Sequence, residues 1–159
     1  MVILVNMTKL VNIDEAEEVA RIIFSPSMVE GDRVSRNAFL LCVLKSGQKE
    51  DYLSVWRTKH RTPTRENVNF SPRNADDEVF GYATLYVEAI HNLEILGCKA
   101  CVKGKSICIN GEFKPCEHHH VGVYYTLSTD PIIGECDDPA FMAFTMELAN
   151  QAITHKFPD

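Results

Sequence analysis

The sequence predicts an α+β domain in which helices pack against a mostly antiparallel, mixed sheet. Two segments, at about 77–96 and 139–154, repeat apolar residues at helical spacing. Several short runs between and before them are rich in β-branched and aromatic residues, as strands are. An Asn-Gly pair at 110–111 joins two such runs and is typical of a β-hairpin, which favours antiparallel pairing.

Length and composition indicate one globular unit, and we expect a single domain over 1–159. The chain is 45% hydrophobic and 24% charged, as globular proteins usually are. No apolar run approaches the ~18 residues that a membrane span needs, and the N-terminal residues lack the basic segment and cleavage site of a signal peptide. We therefore expect a cytoplasmic protein without a membrane partner, in which the six cysteines stay reduced.

The elements before the first long helix are expected to be short. Asn12 followed by Glu15 forms a capping-box pattern, which predicts a brief helix. RIIF at 21–24 and DYLSVWR at 51–57 have the composition of strands, and the second alternates Tyr, Ser and Trp against Leu, Val and Arg. NAFLLCVL at 37–44 is a buried strand or a short helix, because periodicity cannot separate the two. The proline-containing residues 58–75 are predicted to form a long connection.

The two long helices are predicted from their apolar stripes and their ends. In 77–96, apolar residues recur at steps of four and three, at Val79, Ala83, Tyr86, Ile90 and Leu93. In 139–154, Asp138 can cap the N-terminus and Pro139 fits the first turn. Between the helices lies a Cys/His-rich hairpin, and GVYYTL at 122–127 is predicted to be a strand.

The hairpin carries a candidate zinc site. If the Asn-Gly pair alone forms the turn, the ladder continued away from it places Cys101 opposite His120. Alternation then gathers a Cys₃His set on one face, which suits tetrahedral zinc. The candidate metal ligands are Cys98, Cys101, Cys116 and one of His118 or His120. Their spacing resembles a zinc ribbon, which implies a structural zinc; the alternative is that the cysteines are small buried apolar residues.

The charge is unevenly distributed. Residues 31–75 carry nine Lys and Arg against four acidic residues, in a chain whose net charge is −6. The cations concentrate at 57–65, where Arg57, Lys59 and Arg61 follow Trp56. This basic loop predicts contact with a protein or nucleic-acid partner, through phosphates and base stacking in the second case. The pI of about 5.5 argues against a dedicated nucleic-acid binder, and a merely solvated loop is the alternative.

A second group of candidate ligand-binding residues is Arg33, Ser35 and Arg57, since arginine and serine near strand ends can hold a phosphate or carboxylate. The surrounding pattern is Pro26, Gly31-x-Arg33-Val34-Ser35-x-x-Ala38-Phe39, then Leu53-Ser54-Val55. This pattern resembles one in a group of small uncharacterised bacterial proteins, which implies a bacterial origin and no particular activity.

The sequence leads to two interpretations of function. The first is an accessory binding protein with a zinc-stabilised hairpin and a basic loop that contacts a partner. The second is a small enzyme, because the arginine and serine arrangement is similar to that of ADP-ribosyltransferase folds, which use NAD. An NAD-like nucleotide would then be the substrate. Both an enzyme and a binding protein fit the residues.

Overall fold

The computed structural model describes residues 9–41, 50–68, 72, 74–126 and 138–159. Within these ranges the chain forms ten strands, two α-helices and one 3₁₀ helix. The strands are β1 Leu10–Asn12, β2 Glu18–Ser25, β3 Val29–Glu30, β4 Arg33–Val34, β5 Leu53–Arg57, β6 Glu78–Tyr86, β7 Lys99–Ile109, β8 Glu112–Pro115, β9 His120–Thr126 and β10 Ile153–Lys156. The helices are the 3₁₀ helix Arg36–Phe39, α1 Val87–Asn92 and α2 Pro139–Gln151.

Eight of these strands form one sheet in the order β1-β7-β9-β5-β2-β6-β10, with β8 paired to the far end of β7. The remaining two, β3 and β4, form a separate ribbon. Every pairing between described strands is antiparallel, which confirms the α+β class with a mostly antiparallel sheet. Neither α-helix in the described ranges combines the length and the apolarity that crossing a membrane would require.

The main core lies between one face of the sheet and the layer of α2 and the 3₁₀ helix. Phe39 from the 3₁₀ helix and Phe141 and Phe144 from α2 are almost completely buried there. Burial of each such ring contributes about 2–3 kcal/mol relative to exposure. The hydroxyl of Tyr125 on β9 donates a 2.7 Å hydrogen bond to the carbonyl of Phe39, so the layers are also joined by a buried polar contact.

Helix α2 begins as the sequence predicts. Asp138 caps it by accepting a 2.9 Å hydrogen bond from the backbone N–H of Phe141, and Pro139 occupies the first turn. The helix ends at Gln151, and the chain then continues as β10, which pairs with β6. The strands predicted within 21–24, 51–57 and 122–127 are present as parts of β2, β5 and β9.

The prediction of a long helix at 77–96 is wrong. Most of that segment is the nine-residue strand β6, followed by the short helix α1. The strand is covered on both faces: Ala83 and Leu85 face the main core, while Tyr82 packs in a second cluster with Ile22 and Trp56. A strand buried on both faces lacks the alternation of apolar and polar residues that identifies strands. Its apolar positions therefore match helical spacing by coincidence.

The structure also differs from the sequence-based expectation in two shorter segments. The brief helix expected after Asn12 is a turn, in which the N–H of Ala16 donates to the side chain of Asp14, and the chain passes directly into β2. Of the ambiguous segment 37–44, residues 37–39 lie in the 3₁₀ helix, and 42–44 fall outside the described residues. In the predicted connection, 58–68 contains no helix or strand, and 69–71 and 73 are likewise outside the description.

Candidate ligand pocket on the open face of the sheet

The face of the sheet opposite α2 carries a pocket of about 370 Å³. A pocket of this size is in the range of small-molecule sites. It lies between β7 and β9, next to β5. The polar side chains that line it come from two sources: the alternating residues of these strands and the loop between β8 and β9. They include Tyr52, Lys103, Lys105, His118, His120 and Tyr124.

Strand register brings these side chains to one face. Ser54 on β5 and Lys103 on β7 both pair with Gly122 on the intervening strand β9, so the three residues form one row across the sheet. In the neighbouring row, the ring of Tyr52 lies 5.3 Å from that of Tyr124. Paired residues in adjacent strands project to the same side of the sheet. Ser54 and Lys103 therefore lie on one face, on either side of Gly122, which has no side chain.

Gly122 is required by this packing. A Cβ at that position would lie 2.6 Å from Cδ2 of Tyr52 and 3.0 Å from Cε2 of Tyr124. Both distances are too short for ordinary van der Waals contact. The tyrosine rings can therefore cover the middle of β9 only because this residue has no side chain.

Ser54 and His120 are hydrogen-bonded through Oγ and Nε2. The backbone N–H of His120 donates to Nδ1 of His118 at 3.1 Å, and the ring of Tyr52 stands edge-on to the imidazole of His120 at 6.4 Å. Partial desolvation by the protein lowers the pKa of His120, and the positive charges of His118 and Lys105 lower it further. At neutral pH the imidazole is therefore uncharged and able to accept a proton.

The charge of the pocket contrasts with that of the chain. Lys103 and Lys105 contribute two positive charges, and none of the described residues that line the pocket is acidic. The net charge of the protein is −6. A local excess of positive charge within an acidic protein attracts anions to this position specifically.

Arg57, a predicted ligand-binding residue, is instead a buried structural contact. Its side chain is 5% exposed and forms two 2.7 Å bonds with the carboxylate of Glu17, which is 7% exposed. It also donates to the carbonyl oxygens of Cys116 at 2.7 Å and His118 at 3.4 Å. These bonds fix the loop between β8 and β9, so Arg57 positions the pocket histidines without facing a ligand.

The pKa of the Glu17 carboxyl group is shifted by burial and by this contact with Arg57. Burial alone would raise the pKa of its carboxyl group, but the hydrogen bonds and charge of Arg57, with a smaller contribution from Lys59, hold that pKa below its ordinary value. Because both charges are buried and paired, removing either one would leave the other without its main partner.

The other predicted residues of the basic loop are exposed but engaged within the chain. Lys59 lies 3.3 Å from Glu17, and the guanidinium of Arg61 lies over the ring of Trp56, 6.0 Å from its centroid. Neither belongs to the lining of the pocket. The structure therefore leaves a partner for the 57–65 loop as a prediction.

Arg33 and Ser35 lie together in a different place, a wide cleft beside the β3–β4 ribbon and α2. Arg33 is exposed, whereas the hydroxyl of Ser35 is buried and makes no hydrogen bond within the described part of the chain. Arg57 is not among the described residues of this cleft. The structure thus brings together two of the three residues predicted to hold a phosphate or carboxylate.

The hairpin turn is confirmed, and so is the predicted register from Ile109–Glu112 to Ser106–Pro115, but the pairing of Cys101 with His120 predicted farther from the turn is wrong. Asn110 and Gly111 have φ of 52° and 81°, and Ile109 pairs with Glu112. The β7–β8 ladder ends at Pro115, although the N–H of Cys116 still donates to the carbonyl of Lys105 at 2.9 Å, and pairing with β7 resumes at Gly122 of β9 with a shifted register. The carbonyls of the intervening loop are turned toward the buried arginine described above.

The predicted zinc ligands are consequently dispersed. Cys101 pairs with Tyr124 rather than with His120, and Cys98 is fully buried in a turn after α1 instead of ending a long helix. Cys116, His118 and His120 all line the pocket, away from Cys98. Among the described residues, no group of three or more His, Cys, Asp or Glu side chains is arranged to hold a metal ion, so the geometry gives the zinc prediction no support.

Sequence reasoning missed Tyr52, Lys103, Lys105 and Tyr124 as pocket residues. The available signals were the alternation in HVGVYYT at 120–126, which places His120 and Tyr124 on one face, and the alternation in β7, which places Lys103 and Lys105 on one face. Comparison with family models, with curated proteins and with solved structures finds no match. The pocket must therefore be interpreted from its own chemistry.

Proposed function

We propose that the protein binds a small anionic ligand that carries an aromatic ring, of about mononucleotide size, in the pocket between β7 and β9. The observation that carries the proposal is the charge of the lining: two lysines and no acidic residue among the described positions, in a protein of net charge −6. Two lysine ammonium groups suit a phosphate or carboxylate substituent.

The aromatic part of the ligand is inferred from the other side of the pocket. Tyr52 and Tyr124 present their rings beside the imidazole of His120. Such side chains offer flat apolar surfaces with polar edges, and stacking of a base on an aromatic side chain is worth about 1–3 kcal/mol. The lysines would supply affinity for the charge, and the rings would select for a planar group.

Titration calorimetry with AMP and with adenosine tests this proposal, because the two probes differ only in the phosphate. We expect AMP to bind at least about tenfold more tightly at low ionic strength, which corresponds to about 1.4 kcal/mol. The Lys103→Gln/Lys105→Gln variant should lose that preference. A matched control is Lys114→Gln/Lys156→Gln, which changes net charge equally at positions outside the pocket lining.

Equal binding of the two probes, or no measurable binding of AMP, would contradict the proposal. So would a loss of the preference in the control variant, since a general effect of net charge would then account for it.

The earlier interpretations remain predictions beside this one. They are partner binding through the 57–65 loop in the cytoplasm, a structural zinc at the hairpin, and ADP-ribosyltransferase-like activity through Arg33, Ser35 and Arg57. The pocket is favoured over them because charged groups and aromatic rings line the same concave site. Metal analysis of the purified protein tests the zinc prediction separately.

A further inference from the structure

We propose that Ser54 is a nucleophile and His120 its general base, so that the pocket hydrolyses small anionic aromatic esters through an acyl-serine intermediate. This inference rests on the proposed function, because it assigns a reaction to the same ligand class. It is carried by the hydrogen bond that joins the Oγ of Ser54, which is not itself a lining residue, to Nε2 of His120, which lines the pocket. A serine hydroxyl in contact with an uncharged imidazole is the pairing that nucleophilic catalysis requires.

The placement of the two groups supports the assignment. Ser54 is half-buried in the middle of β5, and His120 begins β9, so both stand on strands rather than on mobile loops. The bond lies on the same face of the sheet as the tyrosine rings, since Ser54 pairs with Gly122. The Ser54 hydroxyl and the Tyr52 ring contact the imidazole of His120, and its backbone N–H donates to Nδ1 of His118.

The cations are placed for an ester that carries a negative charge. Lys103 and Ser54 belong to the same row across β7, β9 and β5, so their Cα atoms are two inter-strand spacings apart, about 9.6 Å. Lys105, whose charge already acts on His120, is a cation available to the negative oxygen of the tetrahedral intermediate.

The reaction balances with water as the only co-reactant. As the Ser54 oxygen attacks the acyl carbon, its proton passes to His120 Nε2, the bond to the aromatic oxygen breaks, and that oxygen leaves with the proton from the imidazolium. Water then attacks the acyl-serine, giving its proton to His120. The serine oxygen recovers that proton as the carboxylic acid departs, so no redox change occurs.

The test uses 4-acetoxybenzoate as the anionic probe and phenyl acetate as its neutral counterpart. Release of the phenol is followed by absorbance, and acetylation of the protein is located by mass spectrometry of its peptides. We expect acetyl on Ser54, faster turnover of the anionic probe, and a loss of about 100-fold or more in Ser54→Ala and His120→Gln. His60→Gln is the control, because His60 is exposed and outside the pocket.

AMP binding is measured on the same preparations, together with circular dichroism to confirm folding. If AMP binds and neither Ser54 acetylation nor turnover is seen, the dyad is wrong while the proposed ligand site stands. Acetylation confined to a lysine or cysteine, or turnover that survives in Ser54→Ala, would also overturn the dyad. If Ser54 is acetylated but AMP does not bind, the dyad stands and the ring-and-phosphate ligand class fails.

Discussion

Replacing Arg57 by methionine should destabilise the fold by about 3 kcal/mol. The side chain and its partner Glu17 are 5% and 7% exposed, and the variant would leave a carboxylate buried without its main cation. Two loop carbonyls, of Cys116 and His118, would lose their donor as well. Breaking such a pair costs roughly 3–5 kcal/mol. The lower end applies because the ammonium of Lys59, 3.3 Å from the same carboxylate, remains to compensate part of the charge.

Urea unfolding measures this loss, and the only tryptophan of the chain, Trp56, is the fluorescent reporter next to the site. Lys59→Met is the matched control, because its side chain is 56% exposed and exposed ion pairs contribute about 0–1 kcal/mol. The double variant Glu17→Met/Arg57→Met should be more stable than Arg57→Met, since neither charge is then buried alone. A loss below about 1 kcal/mol in Arg57→Met, or no recovery in the double variant, would refute the reasoning.

Three further outcomes follow from the structure. The pKa of the Glu17 carboxyl group is lower in the folded state than in the unfolded state. Its contribution to stability is therefore present above about pH 4.5, the unfolded pKa, and is lost as the pH falls through the folded-state pKa. The urea midpoint should decrease over that pH range. Burial, aided by a nearby carboxylate, raises the pKa of Cys98 to about 11, and peptide mapping after brief alkylation at pH 8 should find exposed Cys108 modified at least about tenfold faster. Gly122→Ala forces the Tyr52 ring to move, so urea unfolding should show a loss of about 1–3 kcal/mol, and calorimetry a weaker affinity for AMP.

Local signals in the sequence predicted those parts of the fold that depend on neighbouring residues. The Asn-Gly turn needs positive φ at both positions, and Asn110 and Gly111 adopt it. The cap of α2 depends on Asp138 and the N–H three residues later, and it forms. In both cases the interacting groups are within three residues of each other, so no tertiary information was needed.

Strand β6 shows why the same reasoning failed at 77–96. Its neighbours, β2 and β10, come from sequence positions far before and after it. Contacts on both faces of the strand made Tyr82, Ala83 and Leu85 all partly or fully buried. When both faces of a strand are covered, apolar and polar residues no longer alternate along it. Its apolar residues can then match the spacing of a helix. The error came from contacts with distant parts of the chain, which cover the strand on both faces and pair with both of its edges, and a local sequence window contains none of these contacts.

For the candidate site, the sequence predicted which side chains of one strand share a face, but not which residues of other strands lie beside them. Alternation in β5 placed Tyr52, Ser54 and Trp56 on one face, and the register of β5 with β9 agrees with that placement. The partners across the strands depend on the register between β7 and β9, which the break after β8 shifts. Extending a hairpin ladder from its turn assumes that no residue is left unpaired, and one interruption changes every pair beyond it.

That interruption has a cause that the sequence does contain, although only in two distant parts. The alternation of β5 assigns Arg57 to the interior, and an arginine there requires a buried acid and carbonyl acceptors. Glu17 supplies the acid from 40 residues away, and the loop that begins at Cys116 supplies the carbonyls. The carbonyls that bind Arg57 lie in the loop where pairing with β7 passes from β8 to β9. The buried charge pair, the broken ladder and the placement of His118 and His120 at the pocket are therefore one structural solution.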